Sequence, residues 1–210
     1  MTLQNRVTPT GEIVAVSARG TLMGNRGNLH GDGRVLLRTQ ASRMDWVTCR
    51  LDFKGRKRPI MAPGKYTELF FLDEATALAA GHRPCNECRP ERLAAFKEAW
   101  AVGVEGQPGM RLLVTHLDTA LHRDRFVSKG IQRRFEARLG DLPDGVMVQL
   151  PGEARTARLK WNGRLHRWTA SGYVDPQPLN LDVAVTVLTP QCTVKTLAAG
   201  YLPAVHASAS

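Results

Sequence analysis

Apolar positions in the first half of the chain predict short strands and two helices. Strand-like apolar runs or alternation occur at residues 12–17, 35–38, 45–53 and 66–72. From position 90 the spacing becomes helical, and a single helix face would carry Leu93, Phe96, Ala99 and Trp100. The pattern therefore predicts that this half combines strands with a helix that begins near residue 90 and runs through residue 100.

Helix start and stop signals place a second, shorter helix just before that one. The carboxylate of Asp73 can accept hydrogen bonds from the exposed amides of a first turn. Gly81 stands where a helix needs a residue at positive φ in order to end, and Pro84 prevents the helix from resuming. A helix that starts after Asp73 and stops at Gly81 is the prediction.

The second half of the chain is predicted to be rich in strands. Apolar runs at residues 146–150, 157–161, 165–169 and 181–188 are typical of strands. Asn162-Gly163 is the strongest two-residue signal for a β-hairpin. Thr189 and Pro190 predict the start of a last helix that ends at Ala199.

A glycine- and proline-containing stretch at residues 103–109 marks a candidate boundary between these halves. It predicts one unit over residues 1–102 and a second, basic, β-rich unit over residues 110–210. The expected fold class is α+β.

Charge indicates the kind of partner. The 210 residues carry a net charge of +10, and 22 of the 29 basic side chains are arginine. Such a balance favours a polyanion, and nucleic acid is the expected partner. No apolar run approaches the ~20 residues that span a bilayer, and no secretory signal precedes the first strand, so we expect no membrane partner and a cytoplasmic location.

A basic run at residues 54–58 is the first candidate for contact with phosphates. Its charged residues are Lys54, Arg56, Lys57 and Arg58, with Gly55 at the expected tip of a hairpin. The alternative is a solvated turn with no ligand.

The candidate metal ligands begin with Cys85 and Cys88, because two thiols three residues apart at a tight turn can face one ion. A redox pair or two buried thiols are the alternatives. Asn86 and Glu87 between the cysteines, with prolines on both sides, are unusual for a redox pair and favour a metal site.

Residues 71–90 resemble the N-terminal metal-binding domain of the Ada DNA-repair regulator. The matching positions are Gly81, Arg83, Pro84, Cys85 and Cys88, and Cys49 falls where the first cysteine pair of that family begins. The resemblance covers about residues 46–100. It implies zinc held by cysteines, contact with the DNA backbone, and a methyl group taken from a phosphotriester by Cys49. Arg83 and Arg89 are then expected to approach phosphates.

The sequence departs from the family at the fourth ligand, because Phe53 occupies the position of the second cysteine. His30, at the end of a glycine-rich segment, is one candidate for the fourth ligand. Other candidates for the fourth ligand are Asp52, His116, His122 and Cys192.

An enzyme is the rival interpretation. Asp118 and His122 lie four positions apart, so on a helix they would share a face, with His116 nearby. Together they could activate water for a metal-dependent nuclease or hydrolase. A third alternative is a protein-interaction module with a purely structural zinc. The favoured function is a zinc-containing nucleic-acid-binding protein, most simply a DNA-binding one, in repair or regulation.

Overall fold

The structure is a computed structural model that describes residues 2–39, 43–57, 59–128 and 131–210. Within these residues the chain is a mixed α+β protein, as the sequence predicts. Its helices are α1 (Glu74–Ala79), α2 (Pro90–Gly103), α3 (Val114–Arg125) and α4 (Gln191–Ala198). Short 3₁₀ turns lie at Leu139–Asp141 and Ala207–Ala209.

The first half contributes a mixed sheet of six short strands within the described residues. They are β1 (Arg6–Val7), β2 (Ile13–Val14), β3 (Leu22–Asn25), β4 (Val47–Cys49), β5 (Leu69–Phe71) and β6 (Arg83–Pro84). Their spatial order is β2-β1-β5-β3-β4-β6, with the β1/β5 and β4/β6 pairs parallel. The β4/β6 pair places the end of the strand that contains Cys49 beside the start of the Cys-x-x-Cys loop.

The second half forms an antiparallel sheet, as the alternation predicts. Its strands, within the described residues, are β9 (Phe135–Arg138), β10 (Met147–Gln149), β11 (Arg158–Trp161), β12 (Arg164–Thr169), β13 (Gly172–Pro178) and β14 (Ala184–Val187). Their order is β13-β12-β11-β10-β14-β9. A small ribbon of β7 (Phe126–Ser128) and β8 (Ile131–Gln132) follows α3.

Local signals account for the turns and helix ends. Asn162 and Gly163 join β11 to β12 with φ of 47° and 72°, the positive values that a tight type I′ turn requires. The Asp73 side chain caps α1 by accepting from the Thr76 amide at 2.8 Å. Gly81 ends α1 at φ 76°, with its amide bonded to Leu78. These predictions are confirmed.

Other boundaries differ from the predictions. Residues 35–38 form no strand, and His30 and Leu36 make an isolated bridge instead. Residues 54–57 form a loop after β4 rather than a hairpin tip, because β4 pairs with β3 and β6. The last helix begins at Gln191, with Pro190 as its N-cap. Strands β4 and β5 are shorter than the apolar runs at residues 45–53 and 66–72 that predict them.

The two halves share part of their hydrophobic core. One buried cluster, the shared core, contains Leu78 and Phe96 from the first half and Val185 and Leu197 from the second, and α2 packs on α4. The stretch at residues 103–109 thus separates the two sheets in sequence, while the helices join them in space.

Buried carboxylates at the start of α1 also tie the halves together. Asp73 accepts from the Tyr173 hydroxyl at 2.8 Å, and Glu74 accepts from the Tyr201 hydroxyl at 2.7 Å. Asp73 and Glu74 are 2% and 0% exposed, so these bonds are made away from solvent.

Candidate metal centre and adjoining cleft

Cys49, Cys85 and Cys88 converge, although 36 positions separate the first from the second. Cys49 is the last residue of β4, and Cys85 follows β6 directly. The Cys85 amide continues the β4/β6 pairing by donating to the Thr48 carbonyl at 2.9 Å. The three sulfur atoms lie within 4.8 Å of one another, and in the described part of the chain they form the one such group.

This spacing fits a metal. Sulfurs bound at ~2.3 Å to a tetrahedral zinc would lie roughly 3.8 Å apart. The Cys-x-x-Cys prediction and the assignment of Cys49 to the same cluster therefore agree with the geometry: the three cysteines could hold a metal ion.

The three thiols of the cluster differ in pKa. Hydrogen bonding from Cys49 lowers the pKa of Cys85 to about 5, and the Glu87 amide also donates to its sulfur, at 3.4 Å. The same hydrogen bond and burial raise the pKa of Cys49, and burial raises that of Cys88. At neutral pH the cluster therefore holds one thiolate and two thiols, a soft, anionic donor set.

The cysteines form part of the wall of a cleft of about 660 Å³. Phe70, Met23 and Cys49 are cross-strand partners on β5, β3 and β4, and so they share one face of the sheet. Phe53 and Tyr66 also line the cleft. Its interior therefore offers aromatic and thioether surface beside the thiols.

The rim of the cleft is basic. Arg50, Arg56 and Lys57 line it and are exposed. Arg56 donates to Glu87 at 3.1 Å, and Arg50 to Glu91 at 2.7 Å, in exposed ion pairs that an incoming phosphate can replace. Lys54 is exposed beside the Phe53 ring, 5.1 Å from its centroid. Arg58, predicted as a further phosphate contact, lies outside the described residues.

Two predicted phosphate contacts are wrong. Arg83 is 4% exposed and pairs with Asp118, and Arg89 is 5% exposed and donates to Glu74 at 2.7 Å. Their charges are neutralised inside the protein, so neither reaches a phosphate on the surface. Both arginines instead brace the loop that carries Cys85 and Cys88.

The candidate fourth ligand His30 is not part of the thiol cluster. Its ring is 5% exposed, with Nδ1 2.6 Å from the Thr67 hydroxyl and Nε2 3.1 Å from the Ala62 carbonyl. Both nitrogens are occupied in these hydrogen bonds, which brace the glycine-rich segment. Of the alternatives, Asp52 is exposed and Cys192 is buried in the shared core, and among the described residues neither belongs to the cluster.

The rival catalytic cluster is not assembled. α3 does contain His116, Asp118 and His122. However, Asp118 is held by Arg83, while exposed His116 lies 2.9 Å from Glu105. The His122 ring stacks edgewise on Phe126, with centroids 6.1 Å apart. Since the three side chains have different partners, they provide no shared site for a metal or water.

Sequence reasoning missed several residues of the cleft. Glu68 is 3% exposed, lines the cleft and accepts from the Met61 amide at 2.8 Å. The signal for Phe70 was present, because it is the outward residue between buried Leu69 and Phe71. Met23 gave no such signal, since only the register of β3 places it between Phe70 and Cys49.

Comparisons of the chain with family models, with curated proteins and with solved structures gave no match. In the part of the chain that the structure describes, no helix has the length and apolar character needed to cross a bilayer.

Proposed function

We propose that the chain is a zinc-containing nucleic-acid-binding protein and that DNA is its ligand. The observation that carries this proposal is the position of the Cys49, Cys85 and Cys88 thiols, on the wall of a cleft with a basic rim and aromatic lining. The resemblance of residues 71–90 to the Ada metal-binding domain supports the same function.

Zinc suits the three-sulfur donor set. When bound, it would keep all three sulfurs as thiolates and tie β4 to the loop before α2. Because the described residues supply three sulfurs to this group, a fourth position would be left for water or for a molecule in the cleft. A site of three protein ligands and one exchangeable ligand is typical of reactive rather than purely structural zinc. Methyl transfer to Cys49 remains a prediction.

Nucleic acid suits the cleft for two physical reasons. Exposed Lys54, Arg50, Arg56 and Lys57 can displace counterions from phosphates. Phe53 and Phe70 add aromatic surface with a cation over each ring, Lys54 at 5.1 Å and Arg6 at 4.7 Å from the centroids, and bases stack on such aromatic and cationic surfaces without sequence preference. Together they favour contact with the backbone and with unstacked bases over readout of base edges in a groove.

DNA affinity measured by fluorescence anisotropy at several salt concentrations tests this function. The test variant is the triple change K54Q/R56Q/K57Q. A matched control is R138Q/R155Q/R164Q, which removes the same charge from exposed positions in the second half. We expect the test variant to bind more weakly and the slope of log K against log salt to fall by about 2 to 3, with a smaller change in the control.

If both variants lost the same amount of DNA affinity, binding would depend on net charge alone and the cleft would have no special role. No salt-dependent binding by the wild type would remove nucleic acid as the partner and leave a metal-bound interaction module. Labelled single-stranded and duplex DNA, with RNA of the same sequence, are compared in the same titrations.

A further inference from the structure

A second cavity, of about 130 Å³, lies between the N-terminal strands, the end of α1 and the end of α3. Its lining includes Arg26, Arg125, Trp46, Gly81 and Gln132. None of these residues lines the cleft beside the thiols. The cavity is large enough for several water-sized groups.

Arg26 is buried with one nitrogen unused. It is 2% exposed, and its Nη1 donates to the Gly11 carbonyl at 2.9 Å and to the Thr39 carbonyl at 3.3 Å. Nε donates to the His82 ring at 3.3 Å. Nη2 is buried and finds no hydrogen-bond partner among the described residues.

Arg125 repeats this arrangement from α3. It is 2% exposed, and it donates from Nε to the Gly81 carbonyl at 2.7 Å and from Nη1 to the Met44 carbonyl at 2.8 Å. Its Nη2 is also buried, and no hydrogen-bond partner for it lies in the part of the chain that the structure describes. Both guanidinium groups lie over Trp46, with the Cζ atoms of Arg26 and Arg125 at 4.3 and 4.4 Å from the centroid of its ring.

Neither charge is held in an ion pair. Among the described residues no carboxylate forms an ion pair with Arg26 or Arg125; Asp118, which is bound to Arg83, and Asp45 only partly offset the charge of Arg125 from a distance. Glu12 lines the cavity but is exposed. Burial lowers the pKa of each arginine to about 9, so both are still charged at neutral pH. Burying two like charges is strongly unfavourable, and contact with one indole ring offsets only part of that.

We infer that this cavity binds a small oxyanion, a phosphate group, between Arg26 and Arg125. A phosphate accepts several charge-assisted hydrogen bonds at once, which would satisfy both free Nη2 groups and neutralise the buried charge. The inference does not depend on zinc or on the thiol cleft, since no residue is shared with that site.

Inorganic phosphate is the first probe. Titration calorimetry and thermal unfolding of the wild-type chain compare phosphate with chloride and acetate at matched ionic strength. We expect saturable binding and a rise in the unfolding midpoint with phosphate alone, because a ligand that binds only the native state stabilises it. A response no larger than that to chloride would overturn the inference, and an equal response to acetate would overturn the assignment to phosphate.

Arg26→Met and Arg125→Met test the two donors. Each is expected to weaken phosphate binding by about tenfold or more, as a lost charge-assisted hydrogen bond implies. Arg138→Met removes one exposed charge and should leave phosphate binding unchanged. Should a methionine variant not fold, Arg26→Lys and Arg125→Lys retain charge but lose the planar fork, and weaker phosphate binding is again expected. Wild-type affinity in the folded variants would contradict the inference.

The phosphate could be a free ion or the 5′-phosphate of a nucleic acid, and titrations with oligonucleotides distinguish the two. A 5′-phosphorylated oligonucleotide and its 5′-hydroxyl counterpart are titrated in the presence and absence of free phosphate. Preference for the phosphorylated strand, lost in Arg26→Met, would identify a nucleic-acid terminus as the source. Equal affinity of both strands, with saturable binding of free phosphate, would identify the free ion. Titration of free phosphate into the wild-type chain with and without added zinc should give the same affinity, which separates this site from the proposed zinc centre.

Discussion

The Arg83 guanidinium donates to both carboxylate oxygens of Asp118, at 2.7 and 2.8 Å, and both side chains are buried. This one pair corrects two sequence predictions, because it withdraws Arg83 from phosphates and Asp118 from catalysis. It links β6, directly before Cys85, to the middle of α3. The second half of the chain thereby holds the thiol-bearing loop in position.

Breaking this pair should be strongly destabilising. Asp118→Ala leaves a buried guanidinium uncompensated, and we expect the free energy of unfolding to fall by about 3 to 5 kcal/mol. Denaturant unfolding followed by circular dichroism measures the change. Asp141→Ala, which breaks the exposed pair between Arg138 and Asp141, is the matched control and should have little effect. Similar results for both variants would show that the buried pair contributes no more than a surface pair.

The proposed zinc centre predicts a defined stoichiometry. The purified chain should contain one zinc per molecule, and Cys49→Ser, Cys85→Ser and Cys88→Ser should each lose most of it. Cys192→Ser is the control, since that thiol is buried in the shared core and should not affect zinc content. Atomic emission spectrometry provides the measurement. A wild type without stoichiometric metal would rule out the zinc centre.

Thiol reactivity in the metal-free chain should depend on pH in a site-specific way. A pKa lowered to about 5 makes Cys85 a thiolate at neutral pH, so its alkylation rate should rise through about pH 5 and then level off. Cys49 and Cys88, with raised pKa values, should react only at higher pH. Alkylation with iodoacetamide and peptide mass spectrometry distinguish the sites. If all three rates rose together near the pH for an ordinary thiol, the hydrogen bonding described within the cluster would be incorrect.

Zinc binding should also release protons. Two of the three thiols are protonated at neutral pH, so binding is expected to release about two protons per zinc. Calorimetric titrations in buffers of different ionisation enthalpy measure that number. If no protons were released when zinc binds, the described protonation of Cys49 and Cys88 would be contradicted.

Gly81 should be more sensitive to a side chain than Gly200, although both follow a helix at positive φ. A Cβ at Gly81 would lie 2.6 Å from Cγ of Arg125, whereas a Cβ at Gly200 would have no atom of the described residues within 4 Å. Gly200→Ala should destabilise by about 1 to 2 kcal/mol from backbone strain alone. Gly81→Ala must also displace the Arg125 side chain, so we expect it to lower the free energy of unfolding by about 1 to 3 kcal/mol more. Thermal unfolding of the two variants compares them, and equal effects would show that Arg125 moves aside freely.

Much of the local structure follows from the sequence because its causes are local. The Asp73 cap, the Gly81 helix end, the Asn162-Gly163 hairpin and the apolar face of α2 each depend on residues a few positions apart. The Cys-x-x-Cys spacing likewise indicates two ligands, and the resemblance to the Ada domain brought Cys49 to the same cluster. The α+β class is confirmed for the same reason, since it needs only the order of such elements.

The roles of the charged residues could not be predicted from their neighbours in the sequence. In the sequence Arg83 and Arg89 look like Lys54 and Arg56, yet the first two are buried in ion pairs and the last two are exposed. His30, His116 and His122 were grouped by residue type, but the fold gives each a different partner. A charge acts on a phosphate only where the phosphate can reach it and where no buried carboxylate already holds it, and both conditions depend on contacts between distant positions.

Residues close together in the chain thus predict the cap and end of α1, the hairpin between β11 and β12, the fold class and the proximity of Cys85 and Cys88, because short-range hydrogen bonding and backbone sterics decide them. The three-dimensional fold places Phe70, Met23 and Cys49 on one face of the sheet and brings Asp118 of α3 to Arg83. It alone brought Arg26 and Arg125 to one cavity. These relationships arise from strand register and helix packing, which join positions up to about a hundred residues apart and leave no periodic trace in the chain.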